Sequence, residues 1–587
     1  SGGGTDIDLN ERCEGDIDLS YNFYRDNDAL YGNTLATNGY AGSLDMSHSI
    51  FDVYNCPEED VTPVWVDVEE EVEVDFEDGE GDVCSNEGDV WVSPDGDDYL
   101  NTGTSESNAF KTIKFALELI APDSLNAITI NLTAGTFSPS TTGENFPIVM
   151  VSNVNLIGQG EEVTILDAEE TNRVIIMDNC QNSSISDLTI IGGLADGGNT
   201  ASYSGGGMYV YDSNAILTNL IISGNTAGHG GGMHMSYSNP ILTNITISNN
   251  TAYEGGGMHL FHSSPTLTDV TFSGNTTDYR GGGMFLLSSS NPILMDVTFS
   301  GNTAGSDGGG MCIGWQQSSD PILTDVTFSG NTASYSGGGM SLFRSSPTLT
   351  DVTFSGNSAS KGGGMNLNDD CNPTLTDVTF SGNMADYGGG MGVSWSNPTL
   401  TNVTMVNNTA DSKGGGMDIA ESNPNLTGVT FSGNTASTGG GMRLYSSNPS
   451  LTNSILWGNS PQEIHCYAGH SEFSSSITIN YSNIQGGEAE IVINVDSIVS
   501  WLEGNIDADP LFTDPEYGDY TLQAGSPCID AGIVIEDMEY CGEAPDMGAY
   551  EYCEEECGAE LADVTGDGQI NVLDLVQIAN LVLELST

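Results

Sequence analysis

Oxygen-bearing side chains recur at fixed intervals near the end of the chain. If Asp563 is counted as position 1 of a loop, such side chains fall at positions 1, 3, 5, 9 and 12, and a glycine falls at position 6. This spacing is typical of a Ca²⁺-binding loop, in which the glycine permits a sharp turn and position 7 supplies a backbone carbonyl. We therefore predict a metal site with Ca²⁺ as the cofactor. Its ligands are Asp563, Thr565, Asp567, the carbonyl of Gln569, Asn571 and Asp574.

The residues after this loop predict an amphipathic helix over 575–583, because Leu575, Ile578 and Leu581 recur at helical spacing. Loop and helix together resemble one repeat of a type I dockerin. Dockerins carry two such repeats and this chain has one, so the resemblance implies calcium binding rather than docking to a cohesin. An apolar helix of this length needs a partner surface to cover it.

A column of Asp and Asn side chains recurs through the middle of the chain, before a short strand of each repeat. Five successive members of this column are carboxylates. Carboxylates about 5 Å apart repel each other by roughly 0.8 kcal/mol in water. Either solvent and counter-ions screen this column, or divalent cations bridge it, and both interpretations stay open. The column consists of Asn219, Asn244, Asp269, Asp296, Asp325, Asp351, Asp377 and Asn402.

Catalysis of polysaccharide cleavage would need other side chains. A lyase that acts on polyuronates needs Lys or Arg, as the base or to neutralise the substrate carboxylate. The repeats hold only Arg280, Arg344, Lys361, Lys413 and Arg443, which we assign to different positions of the repeat. Near-identical repeats also leave no single coil distinguished as an active site. We therefore predict no catalytic residues and a protein that is not an enzyme, with a polysaccharide lyase or hydrolase as the alternative.

The element that must position these side chains is a repeat of 25 to 29 residues, marked by Gly-Gly-Gly-Met. Each copy holds three short extended stretches separated by turns, which leaves no room for two helices. This pattern predicts a coil of a parallel β-helix, with coils stacked about 4.8 Å apart. The ten motifs end at Met208, Met233, Met258, Met284, Met311, Met340, Met365, Met391, Met417 and Met442.

The alternation of residues within 255–273 predicts which side chains face the core. His259, Thr271 and Ser273 should point outward, so that a charged residue at 259 would be tolerated. The inward set is Met258, Leu260, Leu267, Val270 and Phe272.

An asparagine recurs in the turn that closes each coil. Stacked asparagines can hydrogen-bond amide to amide along the axis. We favour an internal scaffold for this column over a ligand groove. Its members are Asn225, Asn250, Asn275, Asn302, Asn331, Asn357, Asn383, Asn408, Asn434 and Asn459.

The start of the repeat region supports the same architecture. A strand and Gly/Asp loop at 90–98 precede a predicted helix in 105–120 that has Asn108 as its N-cap. This order resembles the first turns of secreted right-handed β-helix proteins with the pectin-lyase-like fold, in which the helix covers the open end. The GGGM and SGNTA motifs resemble the repeats of polymorphic outer-membrane proteins, and 526–532 and 546–552 resemble closing segments of such proteins. The resemblance implies an all-β, right-handed parallel β-helix (β-solenoid) with three strands per coil. It does not imply one activity, because proteins with this fold have many different activities.

Charge restricts the partners. The formal net charge is −72, from 82 acidic residues against 10 Lys and Arg. Such a field excludes nucleic acid and anionic membranes as partners.

Because no apolar run reaches 18 residues, we expect no transmembrane segment. We expect an extracellular protein or one at the bacterial cell surface, with a signal peptide removed before Ser1 and with a lipid anchor left open.

The eleven cysteines include no pair with the CxxC spacing of a zinc site. They therefore predict disulfides formed in an oxidising, extracellular setting, with one thiol left over.

Residues 1–86 carry no repeat motif but do carry an acidic, alternating strand over 64–76 that could pair with an exposed sheet edge. This strand and the 575–583 helix have no obvious partner in their own rod. They predict a homopolymer, in which calcium-stabilised rods assemble head to tail into a non-enzymatic cell-surface filament. The alternative to this filament, besides the enzyme, is a monomeric adhesin for cell-surface glycans or proteins.

The predicted domains are 1–86 (assembly segment), 87–150 (first coils and capping helix), 151–535 (β-helix), 536–558 (Cys-rich closing segment) and 559–587 (dockerin-like repeat).

Overall fold

The computed structural model describes residues 88–553, except 99, 121, 123, 126, 198–202, 315–316, 468–473, 495 and 537, together with seven short strands between residues 17 and 75. The predicted calcium loop at 563–574 and the helix at 575–583 lie outside the described residues.

The described chain winds into a right-handed parallel β-solenoid of about 14 turns, as the sequence predicted. Successive coils pair in register, so that Met258 lies beside Met233 on one side and Met284 on the other. We call the 14-stranded sheet that carries these methionines sheet A. Its strands are Ile148–Met150, Ile175–Asp178, Met208–Tyr211, Met233–Ser236, Met258–Phe261, Met284–Leu287, Met311–Gly314, Met340–Phe343, Met365–Asn368, Met391–Ser394, Met417–Ala420, Met442–Tyr445, Ile464–Tyr467 and Val492–Ile493.

A 26-stranded sheet, sheet B, forms the largest part of the coil wall. Its strands are Val90–Val92, Ile128–Leu132, Gly135–Phe137, Val154–Ile157, Thr164–Asp167, Ser184–Ile191, Ile216–Ser223, Ile241–Ser248, Thr266–Ser273, Ile293–Met295, Thr298–Ser300, Ile322–Thr324, Thr327–Ser329, Thr348–Thr350, Thr353–Ser355, Thr374–Thr376, Thr379–Ser381, Thr399–Thr401, Thr404–Val406, Asn425–Thr427, Thr430–Ser432, Ser450–Thr452, Ile455–Trp457, Ser476–Asn480, Asn483–Ile484 and Ile498–Trp501.

A six-stranded sheet, sheet C, lies between sheets B and A along the chain and leads into each Gly-Gly-Gly segment. Two further strands, Met384–Tyr387 and Thr409–Lys413, pair at the equivalent place in later coils. The strands of sheet C are Leu194–Ala195, Thr226–His229, Thr251–Glu254, Thr276–Arg280, Thr303–Ala304 and Thr332–Ala333. An antiparallel pair, Phe512–Asp514 and Asp519–Leu522, follows the last coil.

The core is a stack of identical side chains. All ten motif methionines are fully buried, and the predicted inward residues of 255–273 are at most 1% exposed. The ring centroids of Phe272 and Phe299 lie 4.7 Å apart, and this stack continues to Phe380. The glycines let coils approach closely: a Cβ on Gly282 would lie 2.4 Å from the Gly309 carbonyl oxygen.

The asparagine column is the predicted scaffold. Asn275 donates its side-chain amide to Oδ1 of Asn302 over 3.0 Å and to the carbonyl of Ile247 over 2.9 Å. The column runs fully or almost fully buried from Asn225 to Asn459, so it is closed to ligands.

The capping helix is shorter than predicted. It spans Ile113–Glu118, and its N-cap is Thr112, whose Oγ1 accepts from the backbone N–H of Phe115. Asn108 instead ends a 3₁₀ turn, Glu106–Asn108, and donates its amide to Thr102. Two other 3₁₀ turns are Glu488–Glu490 and Pro515–Tyr517.

The predicted strand over 64–76 is two strands, Val64–Val66 and Val72–Asp75. Each pairs in parallel with an earlier strand of residues 1–86, Val64–Val66 with Leu35–Thr37 and Val72–Asp75 with Gly42–Asp45. That this stretch has no partner in the β-helix itself stays a prediction. The paired residues lie 29 or 30 positions apart, and no motif in the sequence marks that interval. The seven strands here are Ile17–Asp18, Phe23–Tyr24, Leu35–Thr37, Gly42–Asp45, Ile50–Phe51, Val64–Val66 and Val72–Asp75.

Among the described cysteines, the disulfide prediction is confirmed in the closing segment, where Cys541 and Cys553 form a disulfide. Cys180, Cys371, Cys466 and Cys528 are instead buried thiols within the described part of the chain. Within that same part, no helix is long and apolar enough to cross a membrane.

Candidate functional site

One face of the solenoid gathers basic and aromatic side chains. It is formed by the residue before each Gly-Gly-Gly-Met motif, the pre-glycine column, and by the residue after each motif, the post-methionine column. We call the two together the two-column face. Strand pairing sets the pre-glycine column side by side as Ser204, His229, Glu254, Arg280, Asp307, Ser336, Lys361, Tyr387, Lys413 and Thr438. The post-methionine column is Tyr209, His234, His259, Phe285, Cys312, Ser341, Asn366, Gly392, Asp418, Arg443 and His465.

The assignment of the five basic residues to different repeat positions is wrong for three of them. Arg280, Lys361 and Lys413 share the pre-glycine column, and Arg443 lies in the post-methionine column. Arg173 joins them, because its guanidinium lies 5.0 Å from the Tyr209 ring centre. Five of the eight Lys and Arg in the described chain therefore lie on this face. Alignment of the ten motifs on their glycines would have revealed the column.

Tyrosines accompany three of these cations. The guanidinium of Arg280 lies 4.0 Å from the ring centre of Tyr279. The ammonium of Lys361 lies 4.8 Å from the ring centre of Tyr335 and donates to its hydroxyl oxygen over 2.9 Å. Lys413 lies 5.5 Å from the ring centre of Tyr387. Flat rings with adjacent cations can hold a sugar by stacking on its apolar side while the cation pairs with a carboxylate.

The rings are accessible to a large ligand. Tyr335 is 52% exposed and Tyr253 is 46% exposed. Tyr253 stacks on Tyr279 with ring centres 5.5 Å apart, which extends the aromatic surface by one coil. The aromatic surface is therefore elongated along the solenoid axis rather than enclosed in a pocket.

Four side chains of the pre-glycine column, His229, Glu254, Arg280 and Asp307, form an ionic group. Oε2 of Glu254 lies 3.5 Å from Nδ1 of His229, and Oε1 lies 4.0 Å from Nη1 of Arg280. Arg280 also lies 3.4 Å from Asp307, which accepts a hydrogen bond from Ser336. Burial raises the pKa of Glu254, and the charge of Arg280 partly opposes that rise.

A stack of imidazoles lies beneath this ionic group. The ring of His259 stacks on His234 at 4.9 Å and lies 5.1 Å from the ring of His229. His259 points away from the core as predicted, but it is only 4% exposed, and its ring contacts those of His229, His234 and Phe285 in the neighbouring coils. Burial lowers the pKa of His234 to about 3 and that of His259 well below 6.5, so both imidazoles are neutral.

The aspartate column lies elsewhere, at an exposed corner within sheet B. Its five aspartates have φ between +53° and +54°. Asn and Asp tolerate this left-handed conformation better than other residues with a Cβ. The backbone turn therefore accounts for the recurring residue type without a bound cation.

Comparison with known proteins agrees with the β-helix fold. A sequence model of the family described as "Right handed beta helix region" matches residues 173–314 and 268–410. Among curated protein sequences, none matches this chain.

Solved structures with a similar course include pectate lyase Pel9A, at 13% identity over 80% of this chain and 97% of that chain, with a TM-score of 0.28. Another is the catalytic unit of a GH87 α-1,3-glucanase from Streptomyces thermodiastaticus, at 12% identity over 65% of this chain and 64% of that one, with a TM-score of 0.37. A third is the A-module of the Azotobacter vinelandii mannuronan C-5 epimerase AlgE6, at 14% identity over 68% and 94% of the two chains, with a TM-score of 0.31. Likeness at this level shows the fold alone.

The prediction that the chain is not an enzyme is wrong. The solved structures that share its fold are named as a lyase, a glucanase and an epimerase. The physical premise of the prediction also fails, because the coils are not equivalent on the two-column face. There, His229, Glu254 and Arg280 occupy one position in three successive coils. The Ca²⁺ loop and the homopolymer stay predictions.

Proposed function

We propose that this protein is an extracellular carbohydrate-active enzyme that binds an acidic polysaccharide along the two-column face and cleaves it by β-elimination. The observation that carries this proposal is the row of cation–tyrosine pairs on one face of a chain with a net charge of −72. A polyanion is repelled by most of such a molecule and is attracted where cations are concentrated.

The spacing of the pairs favours a polymer over a small ligand. Neighbouring coils lie about 4.8 Å apart, and Tyr253, Tyr279, Tyr335 and Tyr387 come from different coils. A polysaccharide that lies parallel to the solenoid axis meets these rings in succession. The open shape of the surface suits a substrate that extends beyond it at both ends.

Lys361 and Tyr335 are the pair that we place at the reacting sugar. Arg280 already lies between Glu254 and Asp307, whereas the Lys361 ammonium donates a hydrogen bond to the hydroxyl oxygen of exposed Tyr335. The ammonium pairs with a uronate carboxylate, which acidifies the adjacent C–H bond. With Tyr335 in its phenolate form, its oxygen takes that proton and becomes a phenol, the electron pair of the broken C–H bond forms the C4–C5 double bond, and the glycosidic oxygen leaves and is protonated by solvent.

An extracellular location fits the closing segment, since the disulfide between Cys541 and Cys553 persists in oxidising surroundings. Within this proposal, the buried thiols elsewhere have no part in the reaction.

Binding tests the proposal first. The full chain should bind a polyuronate and not a neutral glucan, measured by calorimetry at low ionic strength. Lys361→Gln should weaken binding about tenfold, and the pair Lys361→Gln/Lys413→Gln more. Lys111→Gln, which removes the same charge outside the face, is the matched control and should bind as the native chain does. Equal losses in both single variants would show only a net-charge effect and would overturn the proposal.

A further inference from the structure

Three side chains in and beneath the ionic group converge on one point. His229 and Glu254 are neighbours in the pre-glycine column, and His259 lies in the post-methionine column of the same coil as Glu254. One ligand atom from each of the three lies within 4.8 Å of the others. None of these residues is needed for the polysaccharide contacts proposed above.

The nitrogen atoms at this point lack partners. Nδ1 of His229 and Nδ1 of His259 are both buried and accept or donate no hydrogen bond. The Glu254 carboxylate lies 3.5 Å from Nδ1 of His229, yet no hydrogen bond joins them. A buried polar atom without a hydrogen-bond partner is destabilising. Two such atoms beside a carboxylate are the arrangement that a shared cation would satisfy.

The donor set selects the kind of cation. Two imidazoles and one carboxylate suit transition-metal dications, and Zn²⁺ takes this combination with Zn–N bonds of about 2.0–2.1 Å. The side chains of His229 and Glu254 are 26% and 15% exposed, so the site opens to solvent on one side.

Arg280 does not exclude a cation here. Its guanidinium lies 3.4 Å from Asp307 and 4.0 Å from Glu254, so Asp307 remains its partner when Glu254 turns toward the histidines. We propose that His229, Glu254 and His259 bind one transition-metal dication, with Zn²⁺ the best match. This proposal does not depend on the proposed function.

Calorimetric titration of the full chain with Zn²⁺, after treatment with a chelator and in the presence of excess Ca²⁺, tests the site. Calcium occupies surface carboxylates and leaves a His-containing site open. One tight site per chain is expected. His259→Ala should weaken Zn²⁺ binding at least 100-fold, and Glu254→Gln at least tenfold. Substitution with Co²⁺ should give visible absorption bands that are lost in the same variants.

His262→Ala is the matched control, because His262 stacks on Tyr237 at a different corner of the coil. Its Zn²⁺ affinity should be unchanged. His229→Gln replaces a partly exposed ligand and keeps the test decisive if His259→Ala fails to fold. Native-like Zn²⁺ binding by folded His229→Gln, or weak binding that Ca²⁺ abolishes, would overturn the proposal. Loss of Zn²⁺ binding with polyuronate binding intact would support the metal site and leave the proposed function standing.

Discussion

Asn302 donates both its backbone N–H and its side-chain amide to Oδ1 of Asn331, each over 3.0 Å. The same double donation joins successive coils from Asn225 to the end of the ladder at Asn459, which donates to Glu463. A single oxygen atom per coil therefore satisfies two buried donors of the preceding coil. This contact holds the coils in one register along sheet B.

Replacement of a ladder residue should be costly. Asn331→Ala leaves two buried donors of Asn302 without an acceptor, at about 1–3 kcal/mol each. We expect the free energy of unfolding to fall by about 2–5 kcal/mol, measured by denaturant unfolding. Asn425→Ala removes an exposed asparagine and should change stability by less than about 0.5 kcal/mol. Similar losses in the two variants would contradict the scaffold role.

Core and surface positions of one coil should respond differently to charge. Met258→Asp places a carboxylate in the fully buried core, which should cost several kcal/mol or prevent folding. His259→Asp should also be destabilising, since the position is 4% exposed, contrary to the expectation from the alternation of residues alone. Thr276→Asp, at an exposed position, should be tolerated. Thermal unfolding midpoints of the three variants check this order, and a silent His259→Asp would contradict the burial.

The end of the ladder should make stability depend on pH. Burial raises the pKa of Glu463 from 4.5 to about 7. The folded state therefore binds this proton more tightly than the unfolded state, so the contribution is fully present below about pH 4.5 and is lost as the pH rises toward 7. Glu463→Gln keeps an oxygen that can accept both donors of Asn459, as each ladder asparagine does, and has no charge.

Glu463→Gln should consequently match the native chain near pH 4 and exceed its stability near pH 8, by up to about 3 kcal/mol. Thermal unfolding midpoints across this range check the prediction. Glu503→Gln, an exposed position, is the control for general charge effects. A stability difference between native chain and Glu463→Gln that stays constant with pH would show that the carboxylate does not titrate as described.

Repetition explains how much of this structure could be predicted from the sequence. The motif methionines and the inward residues from Leu260 to Phe272 follow from alternation within a coil, and the asparagine ladder follows from strict stacking. The two-column face was missed because coil lengths vary from 25 to 29 residues, which hides that Arg280, Lys361 and Lys413 share one position. The burial of His259 depends on contacts from the preceding coil, which alternation within its own strand cannot show.

The calcium loop stays a prediction, because residues 563–574 lie outside the described chain. Calorimetry with Ca²⁺ should detect one site that Asp563→Ala/Asp567→Ala abolishes, since both carboxylates are predicted ligands. Asp514→Ala, an exposed acid elsewhere, should leave that site unchanged. Retention of the site in the double variant would show that calcium binds elsewhere.

Formation of unsaturated product tests the central claim most directly. The full chain incubated with a polyuronate should generate the ultraviolet absorbance of the new double bond. Tyr335→Phe keeps the ring and removes the oxygen, so the rate should fall about 10²–10⁴-fold while the affinity for the polysaccharide stays within about twofold. Lys111→Gln should react at the native rate. If the native chain binds polyuronates but never forms unsaturated product, or if Tyr335→Phe reacts as fast as the native chain, β-elimination on this face is contradicted.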